Sequence, residues 1–297
     1  MTPRDAAGNP GTPGNPGHGS SRWSDLDRPP LNAVALRRGL LREGGLWTAV
    51  DIVPRTGSTN SDLVALAAAG KADEGTVLVA EEQTSGRGRL DRRWTAPPRS
   101  GLFFSVLLRP AEVPVARWGW LPLLTGVAVA TGLSRAAGVD TALKWPNDLL
   151  VTVGGQERKA GGILAERAGT DGVVVGVGIN VTLRAGELPV PQAGSLALAG
   201  AVSTDRDPLL RAVLRSLEEW YGRWRRAGGD PSLSGLQEAY AAGCATLGRT
   251  VRAELPGERS VVGEAMAVDG DGRLVIATGE GVREPVGAGD IVHLRPA

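Results

Sequence analysis

Two apolar runs that read as buried strands, GTVLVAEEQ (75–83) and GLFFSVLLRP (101–110), enclose a segment that no core can accept, SGRGRLDRRW (85–94). Four arginines, Arg87, Arg89, Arg92 and Arg93, fall within seven positions, two glycines loosen the chain among them, and Trp94 closes the run. The fold must therefore hold a mobile, strongly positive loop between strands. Lys+Arg 33 against Asp+Glu 32 leaves a formal charge of +1. No global field draws this chain to nucleic acid or an anionic membrane, so the positive loop is a local device.

The chain has 297 residues, 42% of them hydrophobic, enough for one large domain or two modest ones with a real core. One cysteine, Cys244, excludes an internal disulfide and fits a reducing compartment. No stretch approaches a membrane span and the start lacks a signal segment, which makes the cytoplasm the expected location. The two histidines, His18 and His293, cannot supply a His-based triad or a His/Cys zinc site, and no metal ligand set is expected.

Residues 1–30 hold six prolines and five glycines with almost no apolar side chains and read as a disordered tail. LNAVALRRGLL (31–41) is spaced as a short helix. GSTNSDLVALAAAG (57–70) sets cap-forming residues before an alanine-rich helix ending at Gly70. The run 115–138 is apolar on most faces and reads as one buried helix despite Pro122. TALKWPNDLLV (141–151), KAGGILAERA (159–168) and DGVVVGVGINV (171–181) read as three further strands, followed by helices over about 208–227 and 232–243. After Leu247 five short strands separated by Gly and Asp turns suggest a small β-barrel.

Several stretches could carry chemistry. Guanidinium forks on a mobile loop suit a polyanion with spread charge, such as a triphosphate; GRGRLD lacks the third glycine of a dinucleotide fingerprint, since Asp91 stands there. KWPND (144–148) brings Lys144, Asn147 and Asp148 together around a Pro–Asn turn. Lys159 opens a strand whose glycines, Gly161 and Gly162, admit a ligand close to the backbone. Asn180 ends a buried strand as a hydrogen-bonding group, and Ser58, Thr59 and Asn60 precede a helix. Each also has an ordinary structural reading: a solvated loop, a surface turn, a bulge, a strand end, a cap.

Taken together and in this order, GSTN, EEQTSGRGRLDRRW, KWPND, KAGGILAE and GVGIN resemble the biotin protein ligases from about Val50 to the C-terminus. That resemblance implies an α+β fold: a mixed β-sheet catalytic domain (31–246) flanked by helices, of the class II synthetase and biotin–lipoate ligase kind, and a C-terminal SH3-like β-barrel (247–297). It implies ATP-dependent attachment of biotin to a lysine of a biotin carboxyl carrier domain through biotinyl-5'-adenylate, with Mg²⁺ accompanying ATP. By the same resemblance Lys159, Arg87, Arg89 and Arg92 are catalytic. Ser58, Thr59, Asn60, Gln83, Gly86, Gly88, Gly161 and Gly162 join Arg87, Arg89 and Lys159 in binding biotin. Arg89, Arg92, Trp94, Lys144, Asn147, Asp148 and Asn180 serve the nucleotide. Two positions depart from the family pattern: Asp91 where glycine is usual, and Ala160-Gly161 where Leu-Ala is usual, making a smaller wall beside Lys159. A lipoate or octanoate transferase of related fold is the alternative within the superfamily. A biotin-responsive repressor would need a helix-turn-helix module, for which about 45 mostly tail-like residues leave little room. No DNA or membrane partner is expected, and either a monomer or a homodimer fits.

Overall fold

The computed structural model describes residues 27–294 apart from 91, 256, 258, 280 and 288. Most of the expected tail (1–26, with His18) and Asp91 thus lie outside the described residues. Residues 27–30, assigned to that tail from composition, instead pack on the body: Arg28 and Pro29 hydrogen-bond to Thr182 and Arg206 respectively. One well-placed arginine is invisible in an average over a Gly/Pro-rich segment.

A seven-stranded mixed sheet runs in the order β1 (Ala49–Val53), β2 (Thr76–Ala80), β5 (Gly101–Leu108), β9 (Gly172–Asn180), β8 (Gln156–Ala168), β7 (Asp148–Val153), β6 (Thr141–Lys144). Only β1 and β2 are parallel, and their crossover carries helix α2 (Thr59–Ala68), capped by Ser58. TALKWPNDLLV is a hairpin and not one strand: Lys144 pairs with Asp148 across Trp145–Asn147, because Pro146 has no N–H for a ladder. Between β2 and β5 a minimal ribbon, β3 (Gly86–Arg87) with β4 (Arg93–Trp94), carries the arginine loop.

Both faces of the sheet are covered, which is why β5 is buried at every position. Leu102, Phe104, Val106 and Leu108 enter the main core, while Leu107 joins Leu63 of α2, Leu78 and Val174 in a smaller cluster on the opposite face. The main face is covered by α1 (Ala33–Leu40), α3 (Trp120–Ala137), α4 (Arg206–Arg226) and α5 (Leu236–Gly243). The expected helix 115–138 divides into a 3₁₀ turn, Val115–Gly119, and α3. Pro122 then falls in the first turn of α3, where its missing N–H would have no partner in any case.

The last five strands, β10 (Thr250–Leu255), β11 (Arg259–Val268), β12 (Leu274–Ala277), β13 (Arg283–Val286) and β14 (Asp290–His293), form an antiparallel sheet in the order β13-β12-β11-β10-β14. Its apolar face, with Val251, Ala253 and Ile276, belongs to the same core cluster as α3 and Trp145. Two buried indoles tie the parts together: Trp120 Nε1 donates to Gly270 O and Trp145 Nε1 to Gly272 O, each at 3.0 Å.

Candidate functional site: a cavity along β9

On the α2 side of the sheet β9 presents Gly176, Gly178 and Asn180 to a cavity of about 480 Å³. A Cβ on Gly176 would lie 2.0 Å from Asn60 Oδ1, and one on Gly178 would lie 3.0 Å from the Trp94 ring. Close approach thus requires glycine at Gly176, while at Gly178 a side chain would press on the Trp94 ring. At about 3.3–3.4 Å per residue, the four steps from Gly176 to Asn180 make a trough about 13 Å long.

One end of the trough is a closed polar network. Ser58, Thr59 and Asn60 are all buried. Thr59 N donates to Gln83 Oε1 at 2.8 Å, and Ser105 Oγ lies 2.7 Å from Thr59 Oγ1 and 2.6 Å from Asn60 Oδ1. Asn60 Nδ2 donates to Leu164 O at 3.0 Å and Glu166 Oε2 at 2.9 Å. These side chains hold one another in place and offer donors and acceptors to a compact polar head group.

The middle of the trough carries the charge. The β3–β4 ribbon lays Trp94 against Gly178 and Gly162, with Lys159 Nζ 5.9 Å from its ring centre. Lys159 Nζ pairs with Asp148 Oδ1 at 2.6 Å, so it is a strand residue in an ion pair inside the site rather than a loop charge. Arg87 pairs with Glu166 at 3.0 Å, Arg89 reaches Asn147 Oδ1 at 3.4 Å, and Arg92 pairs with Asp290 of β14. Burial lowers the Arg89 guanidinium from its ordinary value, against the pull of Asp290 and Asp148. The hydrogen bond that Arg92 donates to Asp290 raises its guanidinium above the ordinary value.

At the far end Asn180 Nδ2 donates to Gly194 O at 2.9 Å, and Pro189, Val190, Gln192 and Ala193 close the wall. This wall is tied to the central lysine: Lys159 N donates to Gln192 O and Gly194 N donates to Lys159 O, both at 2.8 Å.

Fourteen of the residues singled out from sequence line the cavity: Ser58, Thr59, Asn60, Gln83, Arg87, Gly88, Arg89, Arg92, Trp94, Asn147, Asp148, Lys159, Gly162 and Asn180. Three do not. Gly86 abuts Trp94 O within the ribbon, and a Cβ on Gly161 would meet Leu149 at 2.8 Å, away from the trough, so Gly161 does not widen the wall beside Lys159. Lys144 lies outside the cavity lining, and its charge acts on His293 of β14 and Glu157 of β8. Sequence reasoning missed Asp290, Glu166, Ser105 and the 189–193 wall; the Gly-x-Gly alternation at 176–178 was the available sign of a trough floor.

With this geometry in hand, comparison with known proteins is specific. Residues 52–180 match the biotin/lipoate A/B protein ligase family, and 246–294 match the biotin protein ligase C-terminal domain. The chain is 45% identical to the biotin–[acetyl-CoA-carboxylase] ligase of Mycobacterium tuberculosis over 91% of this chain and 98% of that one. It is 34% identical to the bifunctional ligase/repressor of Bacillus spizizenii over 86% and 77% of the two chains. The biotin protein ligase of Aquifex aeolicus, solved with biotin and ATP, superposes with TM-score 0.67 at 29% identity, covering 84% of this chain and all of that one. A trough with one polar end and one charged centre, a C-terminal sheet that lends it Asp290, and similarity along nearly the whole chain lead to one conclusion: this chain belongs to the biotin protein ligase family.

Proposed function

We propose that the cavity along β9 activates biotin with ATP and passes it to a lysine of a biotin carboxyl carrier domain. The observation that carries this reading is the Lys159–Asp148 pair in a trough that also holds the buried Ser58–Thr59–Asn60 pocket and the guanidinium groups of Arg87, Arg89 and Arg92. A neutral ring system bearing a carboxylate tail suits that layout, with Ser58, Thr59, Asn60 and Gln83 around the ring and the tail directed at Lys159. The nucleotide takes the Asn180 end.

In the first half-reaction a carboxylate oxygen of biotin attacks the α-phosphorus of ATP and pyrophosphate leaves. An anion approaches a polyanion, so fixed positive charge must stand where negative charge builds up. Lys159 stands at the point where carboxylate and α-phosphate meet. Arg87, Arg89 and Arg92 exchange Glu166, Asn147 and Asp290 for phosphate oxygens, and Trp94 covers the join and excludes water from the mixed anhydride. In the second half-reaction the carrier amine attacks the acyl carbon and AMP leaves. The anhydride is already activated, so no histidine base is required; His293 sits outside the trough against Thr246 and Arg249.

Among the described residues no three His, Cys, Asp or Glu side chains gather as a metal site. The cavity lining offers oxygen donors on Asp148, Asp290 and Asn147. A Mg²⁺ ion arriving with ATP would be held mainly by phosphate oxygens, where it would neutralise their charge, with Asp148 as the protein oxygen.

The test is mass spectrometry of a carrier domain incubated with the protein, MgATP and biotin, and separately with lipoate or octanoate. One biotin mass gained on one carrier lysine is the expected result. Labelling by lipoate or octanoate in place of biotin would refute the reading and favour the related acyl transferases.

A further inference from the structure

The segment 27–31 is held by more polar contacts than a connecting segment needs. Leu31 N donates to Glu81 Oε1 at 2.6 Å. Glu81 is paired at 2.6 Å with Arg206, with side-chain exposures of only 8% and 4%, and Arg206 Nη2 donates to Pro29 O at 2.6 Å. Next to this anchor lies Arg28, its side chain 14% exposed. Its Nε donates to Thr182 Oγ1 and its Nη2 to Thr182 O, both at 3.0 Å, and Nη2 also reaches Glu187 Oε2 at 2.5 Å.

Arg28 therefore grips the start of the very segment that builds the Asn180 end of the trough. From Glu187 the chain continues through Pro189, Val190, Gln192 and Ala193, all cavity-lining, and then bonds the backbone of Lys159 on both sides. No helix or strand spans 188–195, and Val190 is 51% exposed. Irregular chain of this kind keeps a single shape only where something offsets its entropy. At the near end Asn180 and Lys159 do so; at the far end the backbone of Arg184 caps Glu187, and Arg28 ties that carboxylate to the hydroxyl and carbonyl of Thr182.

We propose that segment 27–31 is a brace for the nucleotide end of the cavity and that Arg28 is a positioning residue for it. The proposal rests on the reading of the Asn180 end as the nucleotide end. Arg28 touches no cavity surface and acts through Glu187 and Thr182 on the 189–193 wall and on the backbone of Lys159.

The experiment uses the full chain and three variants, Arg28→Ala, Arg28→Lys and Glu187→Gln, with pyrophosphate release measured while ATP and biotin are varied separately. In Arg28→Ala the KM for ATP should rise about tenfold, as the loss of charge-assisted hydrogen bonds that hold a binding wall predicts. The KM for biotin should stay within about twofold, since that end is built by other residues. Arg28→Lys keeps the charge opposite Glu187 and should recover most of the loss; Glu187→Gln should reproduce a part of it. A second readout needs no turnover. The amide protons of Lys159 and Gly194, bonded to Gln192 O and Lys159 O, should exchange faster in Arg28→Ala, with those of Leu78 and Val106 unchanged.

An ATP KM equal to wild type in all three variants, or activity lost with both KM values unchanged and a lower Tm, would overturn the brace. If Arg28→Ala does not fold, Arg28→Lys and Glu187→Gln carry the same comparison. If wild-type protein releases no pyrophosphate with biotin, the reading of the site fails instead, and the exchange measurement alone decides whether Arg28 braces the wall.

Discussion

Adding one methyl group at Gly176 tests the trough at its most crowded point. The Cβ of an alanine would lie 2.0 Å from Asn60 Oδ1 and 2.7 Å from its Cγ. Non-bonded carbons and oxygens need more than about 3 Å, so Asn60 must retreat by about 1 Å or the strand must move. The strand is pinned by Gly176 pairing with Ser105 on one side and Leu164 on the other. Asn60 therefore gives way, and it is 4% exposed with three partners: Ser105 Oγ, Leu164 O and Glu166 Oε2. Each buried group left without a partner costs about 1–3 kcal/mol. With partial rearrangement, and about 0.5–1 kcal/mol returned by alanine in a strand, the net loss is about 3 kcal/mol. With about 2.1 cal/mol/K of unfolding entropy per residue, a chain of this size should lose about 5 °C of Tm.

The functional loss should be selective. Biotin KM should rise at least tenfold, roughly 1.4 kcal/mol, while the ATP end four residues along β9 is spared. The assay is thermal unfolding beside pyrophosphate release with each substrate varied. Pairing the change with Asn60→Ala sharpens it, because that truncation vacates the space the new methyl needs; the double variant should lose less than the two single losses combined. A Gly176→Ala protein with wild-type Tm and wild-type biotin KM would refute the argument that Asn60 is wedged against the glycine floor.

Three further outcomes follow from the same geometry. Lys159→Ala should cut biotin-dependent ATP–pyrophosphate exchange by about 10²–10³, while costing about 1 kcal/mol or less of stability because its ion pair with Asp148 is partly solvated; exchange near wild type removes Lys159 from the chemistry. Arg89→Gly should let the adenylate escape, since losing a charge-assisted hydrogen bond of about 1.5–3 kcal/mol appears mainly in the off-rate; the sign is biotin on bystander proteins in a streptavidin blot, and a variant that makes adenylate but labels no more bystander than wild type counts against it. Burial, then Lys144 and Arg249, hold His293 down to about 4, against the opposing pull of Glu157. The unfolded chain takes up that proton near pH 6.5 and the folded one only near 4, so stability falls as pH drops through this window, by about 1 kcal/mol after solvent screening of a half-buried group. His293→Gln should flatten that part of the Tm–pH curve between pH 7 and 4.5, and an unchanged curve shows that other groups cause it.

Local order was legible in the sequence wherever one physical rule dominated a short window. The apolar runs at 76–80, 101–108 and 172–180 are strands because each is buried on both faces. The Ser58 cap and the left-handed Gly70 that closes the same helix are written in the residues themselves. Where two rules meet in one window the pattern misleads. TALKWPNDLLV reads as one strand around its Pro–Asn turn although Pro146 cannot donate to a ladder, and 115–138 reads as one helix although Pro122 fits only a first turn.

What sequence could not disclose is which charge faces which. Arg28, Arg87, Arg92 and Lys159 all look like solvated cations in their own segments. Their partners, Glu187, Glu166, Asp290 and Asp148, are between 11 and 198 positions away. Lys159 meets Asp148 only because a register irregularity at Leu149/Leu150 sets Asp148 opposite Gly162 while Leu150 stands opposite Lys159. Arg92 meets Asp290 only because the C-terminal sheet shares a core with α3 and Trp145. Composition can locate positive charge along a chain, but an arginine becomes part of a site through the carboxylate that the tertiary fold sets against it. Arg87, Arg92 and Lys159 are paired with Glu166, Asp290 and Asp148 in the free protein, so a polyanion entering the trough would have to compete with those carboxylates. Under the proposed function Asp290, carried by the second sheet, is a rival to phosphate for Arg92, so a group outside the first sheet enters the balance of charge in its trough.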